Sequence, residues 1–126
     1  MIVADTSIWI DYLKGGFSHS VIMSTHIEIR DVLMLECIAG ELLQGARSAK
    51  ERNIILEYWS LLPTLSMDSL WVEAGIYSSE NKLLSKGVGL IDSVIIAACR
   101  ETESKLWTLD EKIKKNIDKR LLFSPK

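Results

Sequence analysis

Short apolar runs alternate with longer stretches of helical spacing along this chain, and that alternation limits the possible folds more than any other feature. Runs with strand character fall at Ile2–Ala4 and at 32–35, 64–67, 106–109 and 121–123. Helical spacing of apolar residues occupies 8–14, 37–61, 69–85, 93–104 and 111–117. The stretch 37–61 reads as two helices joined near 49–53. Pro63 ends it, Gly15 with Gly16 ends the first helix, and Gly87 with Gly89 breaks the chain before Leu90. Strands separated by helices are joined by crossovers, which favour parallel pairing. The expected class is therefore α/β: a three-layer sandwich with a mainly parallel central sheet of about five short strands and helices on both faces. With 126 residues and neither repeat nor linker tract, 1–126 reads as a single domain.

Such a sheet needs a core, and a chain that is 48% hydrophobic and 25% charged has one. The start, Met-Ile-Val-Ala-Asp, reaches a carboxylate without a basic region, so no secretory signal is expected. The longest apolar stretch, VIIAAC at 94–99, is too short to span a bilayer. Cys37 and Cys99 lie far apart without metal-type spacing and read as buried, reduced thiols. The expectation is a cytoplasmic protein with no membrane partner. The net charge of −2 gives no overall pull toward nucleic acid.

Four carboxylates have positions that need explaining. Asp5 follows the run IVA and Asp110 follows KLWTL, so both leave the same edge of a parallel sheet, where ligands bind in such folds. Glu41 lies in CIAGELLQGA, about one turn into the helix after the second run. Asp92 heads GLIDSVIIAAC, immediately before a strongly apolar helix. Each has an ordinary reading. Asp is a good helix N-cap and favours a first turn, and Glu41 could be an exposed helical residue. That reading weakens for Glu41, set among Ala39, Gly40, Leu42 and Leu43, and for Asp92, flanked by Leu90, Ile91, Val94, Ile95 and Ile96. No lysine or arginine lies within a turn of either on a compatible face. Four acids at one sheet edge repel unless a divalent cation joins them, and all-oxygen ligation points to Mg²⁺ or Mn²⁺ rather than zinc.

The ordered set DTSIWIDYL, ELLQGA, GLIDSVIIAA and TLD resembles a PIN-domain nuclease, and specifically the VapC-type toxins of bacterial and archaeal toxin–antitoxin pairs. The likeness runs from the first strand to the last. It implies a PIN-like fold over 1–126 and a metal-dependent endoribonuclease. Asp5, Glu41, Asp92 and Asp110 match the family's acidic quartet, and Thr6 and Thr108 match its hydroxyl positions. Two departures stand out. Ile113 occupies the place where the last motif often has phenylalanine. The basic residue that commonly precedes the third acid has only Lys82 and Lys86 as candidates here. The resemblance also implies a homodimer and a VapB-type antitoxin whose tail wraps the early helices. Ile8, Trp9, Tyr12 and Leu13 form an apolar stripe that could line such a groove or could equally be core.

Phosphodiester hydrolysis needs a nucleophile brought to an anion and charge stabilised on the leaving oxygen, work that a carboxylate-held Mg²⁺ suits. Asp5 and Asp92 are expected as direct ligands, Asp110 as a ligand directly or through water, and Glu41 as the group that orients or deprotonates the attacking water. Thr6 and Thr108 would fix ligand rotamers. Setting the four acids aside leaves a formal charge of +2 from the −2 of the whole chain. The positive residues gather at Lys112, Lys114, Lys115, Lys119 and Arg120, with Lys82, Lys86 and Arg100 near the third motif. RNA that is single-stranded, looped or otherwise structured, tRNA included, is the expected substrate.

Other features point elsewhere or nowhere. Asp5 with Ser7 two residues on fails the paired-aspartate pattern of haloacid-dehalogenase-like phosphatases, and a receiver domain wants paired acids where Thr6 and Ser7 stand. His19 and His26 read as exposed surface, and the tryptophans as core or interface. The alternatives that remain are a PIN-fold nuclease without an antitoxin and a non-catalytic metal-binding module.

Overall fold

The computed structural model describes residues 1–16 and 18–125. In chain order these form β1 (Ile2–Ala4), α1 (Thr6–Lys14), α2 (Ser20–Glu28), α3 (Glu36–Gly45), α4 (Ala49–Leu61), α5 (Leu70–Glu80), α6 (Leu90–Thr102), β2 (Lys105–Trp107) and α7 (Glu111–Asn116). Short 3₁₀ turns occupy Leu84–Lys86 and Lys119–Leu121. The fold is α/β with helices dominant.

β1 and β2 pair in parallel with Val3 opposite Leu106, so the two chain directions agree and both strands end at the same edge. The expected sheet of about five strands is not formed: among the described residues only these two are strands. The other three apolar runs do lie alongside, but they make isolated contacts rather than ladders. Val32 bridges to Ile2, Leu122 bridges to Leu106, and the Met34 amide donates to the Pro63 carbonyl at 2.9 Å. Each run then turns away. Leu35 already precedes α3, Pro63 has no N–H to extend a ladder, and the turn at Lys119–Leu121 delivers the chain only to Leu122.

The core lies around this narrow ribbon. Ile2, Val3 and Ala4 are all buried, and Ser93 through Cys99 form an unbroken buried run, so α6 is enclosed on every side. α5 packs along α6, where the Arg100 guanidinium lies 4.4 Å from the centre of the Tyr77 ring. α1 packs on α3, and α3 on α4. The stripe on α1 is core: Ile8 and Trp9 are fully buried, and Tyr12 and Leu13 pack against them. Trp9 meets Tyr58 at 5.1 Å between ring centres. Its Nε1 is the one buried side-chain N or O among the described residues without a hydrogen-bond partner.

Several expectations change. α2 goes unmarked in the sequence because its apolar residues do not share a face: Met23 is buried while Val21 is 79% exposed. The join between α3 and α4 falls at 46–48, where Ser48 caps α4 by accepting from the Glu51 amide. The 69–85 stretch divides into α5 and the 3₁₀ turn. His19 and His26 are half-buried; His26 Nδ1 lies 2.9 Å from Asp31 Oδ2 and its ring meets Phe123 edge-on. Cys99 is buried, but Cys37 is only partly so. Burial pushes the Cys37 thiol up to about 11 and the Cys99 thiol to about 12, which makes both poor nucleophiles. Trp9 and Trp107 are core, whereas Trp71 is 41% exposed, which leaves the interface reading for it open. Among the described residues no helix is long and apolar enough to cross a membrane.

Candidate active site

The site begins where β1 runs out. The Asp5 amide donates to the Trp107 carbonyl at 3.0 Å, so the end of β1 and the end of β2 are tied at one edge. Asp5 is the N-cap of α1, and Asp110, three residues beyond β2, is the N-cap of α7. The ordinary reading of both acids is therefore correct as far as it goes. Asp5 Oδ1 accepts from the Ser7 amide at 3.0 Å, the Ile8 amide at 3.3 Å and the Ser7 hydroxyl. Asp110 Oδ1 accepts from the Lys112 amide at 2.8 Å and the Ile113 amide at 3.2 Å. In each case capping engages one oxygen. Oδ2 of Asp5 accepts only the Thr108 hydroxyl, and Oδ2 of Asp110 accepts nothing among the described residues.

Asp92 does not precede its helix; it lies in the first turn of α6, after the Gly89 cap. Glu41 comes from the middle of α3, and its Oε1 accepts the Thr6 hydroxyl at 2.6 Å. The two threonines thus serve crosswise. Thr6, beside Asp5, holds Glu41; Thr108, near Asp110, holds Asp5.

The charges of three of the acids reach the fourth. Burial raises the Asp92 carboxyl above its usual range, and the charges of Asp110, Asp5 and Glu41 push the same way against the opposing Gly89 amide. Asp5 is raised too: burial outweighs the hydrogen bonds from Ser7, Thr108 and Ile8 that favour its charged form. Asp5 is only 5% exposed, and the other three are half-buried. None of the four forms an ion pair with lysine, arginine or histidine among the described residues. Nor do any three acidic, histidine or cysteine side chains there converge into a ready-made cage for an ion. The donor set is all oxygen with uncompensated negative charge. It fits a hard cation that keeps several waters and takes one or two carboxylates directly, as Mg²⁺ does.

The predicted basic residues are less well placed. Lys82 is exposed beyond α5, along a groove lined also by Gly75, Ser79, Leu84 and Leu90. Lys86 Nζ donates to the Asn81 carbonyl at 3.1 Å. Neither pairs with an acid of the quartet. Two residues take places that the sequence reading did not assign them. The end of the Lys112 side chain crosses Gly87, its Cδ 2.9 Å from where a Cβ would stand, on the segment that leads into α6. Ser7 donates to Asp5 and accepts the Leu109 amide at 3.1 Å. Its sequence signal was a hydroxyl two residues after a capping aspartate; Lys112 was marked only as one of a basic cluster, with nothing local to pair it with Gly87.

Comparison with known proteins bears on the family and the fold. A sequence model of the PIN domain matches residues 2–119. The structure resembles FitAcB from Neisseria gonorrhoeae with a TM-score of 0.57 and 18% identity, over 87% of this chain and 88% of that one. At that identity the likeness bears on the fold. No curated protein sequence matches the chain significantly.

Proposed function

The chain belongs to the PIN domain family, a nuclease fold, and from that premise we propose that it is a Mg²⁺-dependent endoribonuclease, the toxin of a VapBC-type pair. The observation that carries the reading is the repulsion that Asp92 feels from Asp110, Asp5 and Glu41, while none of the four acids forms an ion pair with Lys, Arg or His among the described residues. A core-edge cluster of this kind is costly unless a cation completes it.

In this reading Asp5 and Asp92 would hold the ion directly and Asp110 directly or through water, with Mn²⁺ able to replace Mg²⁺. Bound there, the ion supplies Lewis acidity and offsets the charge of the phosphate. Glu41, its Oε1 fixed by Thr6, keeps Oε2 to orient a water or accept its proton. Thr108 fixes the rotamer of Asp5. Lys82, Lys86 and Lys112 offer charge to the RNA backbone, which positions the strand without reading its sequence. The whole of 1–126 acts as one domain, in the cytoplasm, against tRNA or another structured or single-stranded RNA. A VapB-type antitoxin would restrain it. Apolar residues exposed along α5, Val72 at 68% and Ile76 at 56%, favour a homodimer.

The test compares the purified chain with Asp92→Asn on a mixed RNA pool in Mg²⁺, Mn²⁺ or EDTA. Metal-dependent cleavage that vanishes in the variant is expected; a contaminating ribonuclease would ignore the substitution. If the parent neither cuts RNA nor binds Mg²⁺, the reading is wrong, and Asp5 and Asp110 are helix caps alone.

A further inference from the structure

Two consecutive amides after β2 are each joined to Asp5 through one hydroxyl. The Leu109 amide donates to Ser7 Oγ at 3.1 Å, and that hydroxyl donates to Asp5 Oδ1. The Asp110 amide donates to Thr108 Oγ1 at 3.0 Å, and that hydroxyl donates to Asp5 Oδ2. Each hydroxyl uses its single proton on the carboxylate and a lone pair on the amide. The carboxylate is thereby gripped from both sides by the segment that carries Asp110. Oδ1 also caps α1, so its acceptor capacity is taken up by three donors, while Oδ2 has one.

We propose that Ser7 is a positioning residue: it commits Oδ1 of Asp5 to the fold, turns Oδ2 to the metal ion, and through the Leu109 amide sets the place of Asp110 relative to it. The inference rests on the nuclease reading for its ion. Without the Ser7 hydroxyl the cap amides still hold Oδ1, but the carboxylate can rotate and residue 109 loses its tie. Thr108 then restrains the segment alone.

The test uses the full chain and the variants Ser7→Ala, Ser7→Thr and Thr108→Val. Mg²⁺ affinity is read by calorimetry, and amide exchange by NMR. Ser7→Ala is expected to weaken Mg²⁺ binding about tenfold, in the range typical for partners of metal ligands. It should also speed exchange of the Leu109 amide while sparing that of Asp110. Thr108→Val should reverse the exchange pattern, and Ser7→Thr, which keeps the hydroxyl, should restore both affinity and protection. A folded Ser7→Ala with parental Mg²⁺ affinity and a protected Leu109 amide overturns the inference alone. A parent that binds no Mg²⁺ overturns the nuclease reading and the inference together, so the two failures are told apart.

Discussion

The Thr6 hydroxyl donates to Oε1 of Glu41 at 2.6 Å, linking the first turn of α1 to the middle of α3 across 35 positions of sequence. The contact fixes one oxygen of Glu41 and so determines where the other points. Thr6→Val should lower kcat about tenfold with little change in KM, because the group that orients water is loosened while the RNA-binding surface is untouched. Stability should fall by roughly 1 kcal/mol for the lost hydrogen bond. Thr6→Ser should retain most activity. Steady-state cleavage of a mapped RNA checks this, and a Thr6→Val enzyme with parental kcat would count against a role for Glu41 in orienting water.

Asp92→Asn should remove cleavage yet raise the stability of the metal-free protein. Burial and the charges of Asp110, Asp5 and Glu41 all disfavour the ionised carboxylate. Neutralising it should raise the melting temperature by roughly 2–4 °C in EDTA. The gain should shrink or invert in Mg²⁺, where the parent binds an ion and the variant does not.

The same carboxylates set a pH dependence. Asp5 and Asp92 are raised from 3.8 in the folded protein, so the folded chain holds protons that the unfolded chain has released. Their contribution to stability is therefore most favourable below the unfolded value, falls as pH rises from 3.8 through the raised folded values, and is fully lost above them. Urea midpoints of parent and Asp92→Asn in EDTA should accordingly diverge in favour of the variant as pH rises across that window. Midpoints that stay parallel would mean that Asp92 titrates normally.

Gly87 has φ +82°, and an added Cβ would stand 2.9 Å from Lys112 Cδ. Gly87→Ala should destabilise by roughly 1–2 kcal/mol through the backbone conformation alone. Repeating the substitution in Lys112→Ala should cost nearly the same, since the flexible end of the lysine can move aside. Lys112→Met, which keeps the aliphatic stem over Gly87, should leave stability unchanged, raise KM for RNA severalfold, and reduce the salt slope of binding by about 1. A parental salt slope would remove Lys112 from the RNA surface.

Val72 and Ile76 lie one turn apart on the outer face of α5, 68% and 56% exposed. If that face joins two copies, Val72→Glu with Ile76→Glu should reduce the mass measured by light scattering from twice 14.2 kDa to 14.2 kDa. The thermal stability of dilute protein should change little, because neither side chain belongs to the core. A parent already monomeric at micromolar concentration would rule the dimer out.

The sequence alone carried the positions of the acids and of most helices. Asp5 and Asp110 could be placed at one edge because each follows a short apolar run, and parallel pairing sends such runs the same way. The breaks at Gly15, Pro63 and Gly87 act through φ and missing donors, which are properties of single residues. α2 escaped notice because its apolar residues are spread around the helix, and burial of Met23 beside an exposed Val21 depends on what packs there.

What only the tertiary structure decided is how the runs meet and which atoms face which. Pairing beyond β1 and β2 depends on where each run turns away, so five apolar runs yield two strands and otherwise isolated contacts. The partners of Thr6, Ser7 and Thr108 lie up to 103 positions away, and the lysine that crosses Gly87 comes from α7. Hydrogen bonds and charge repulsion act over a few ångströms of space. Residue type and spacing fix which groups a chain can offer at a sheet edge, and packing alone fixes which oxygen of a carboxylate remains free to act.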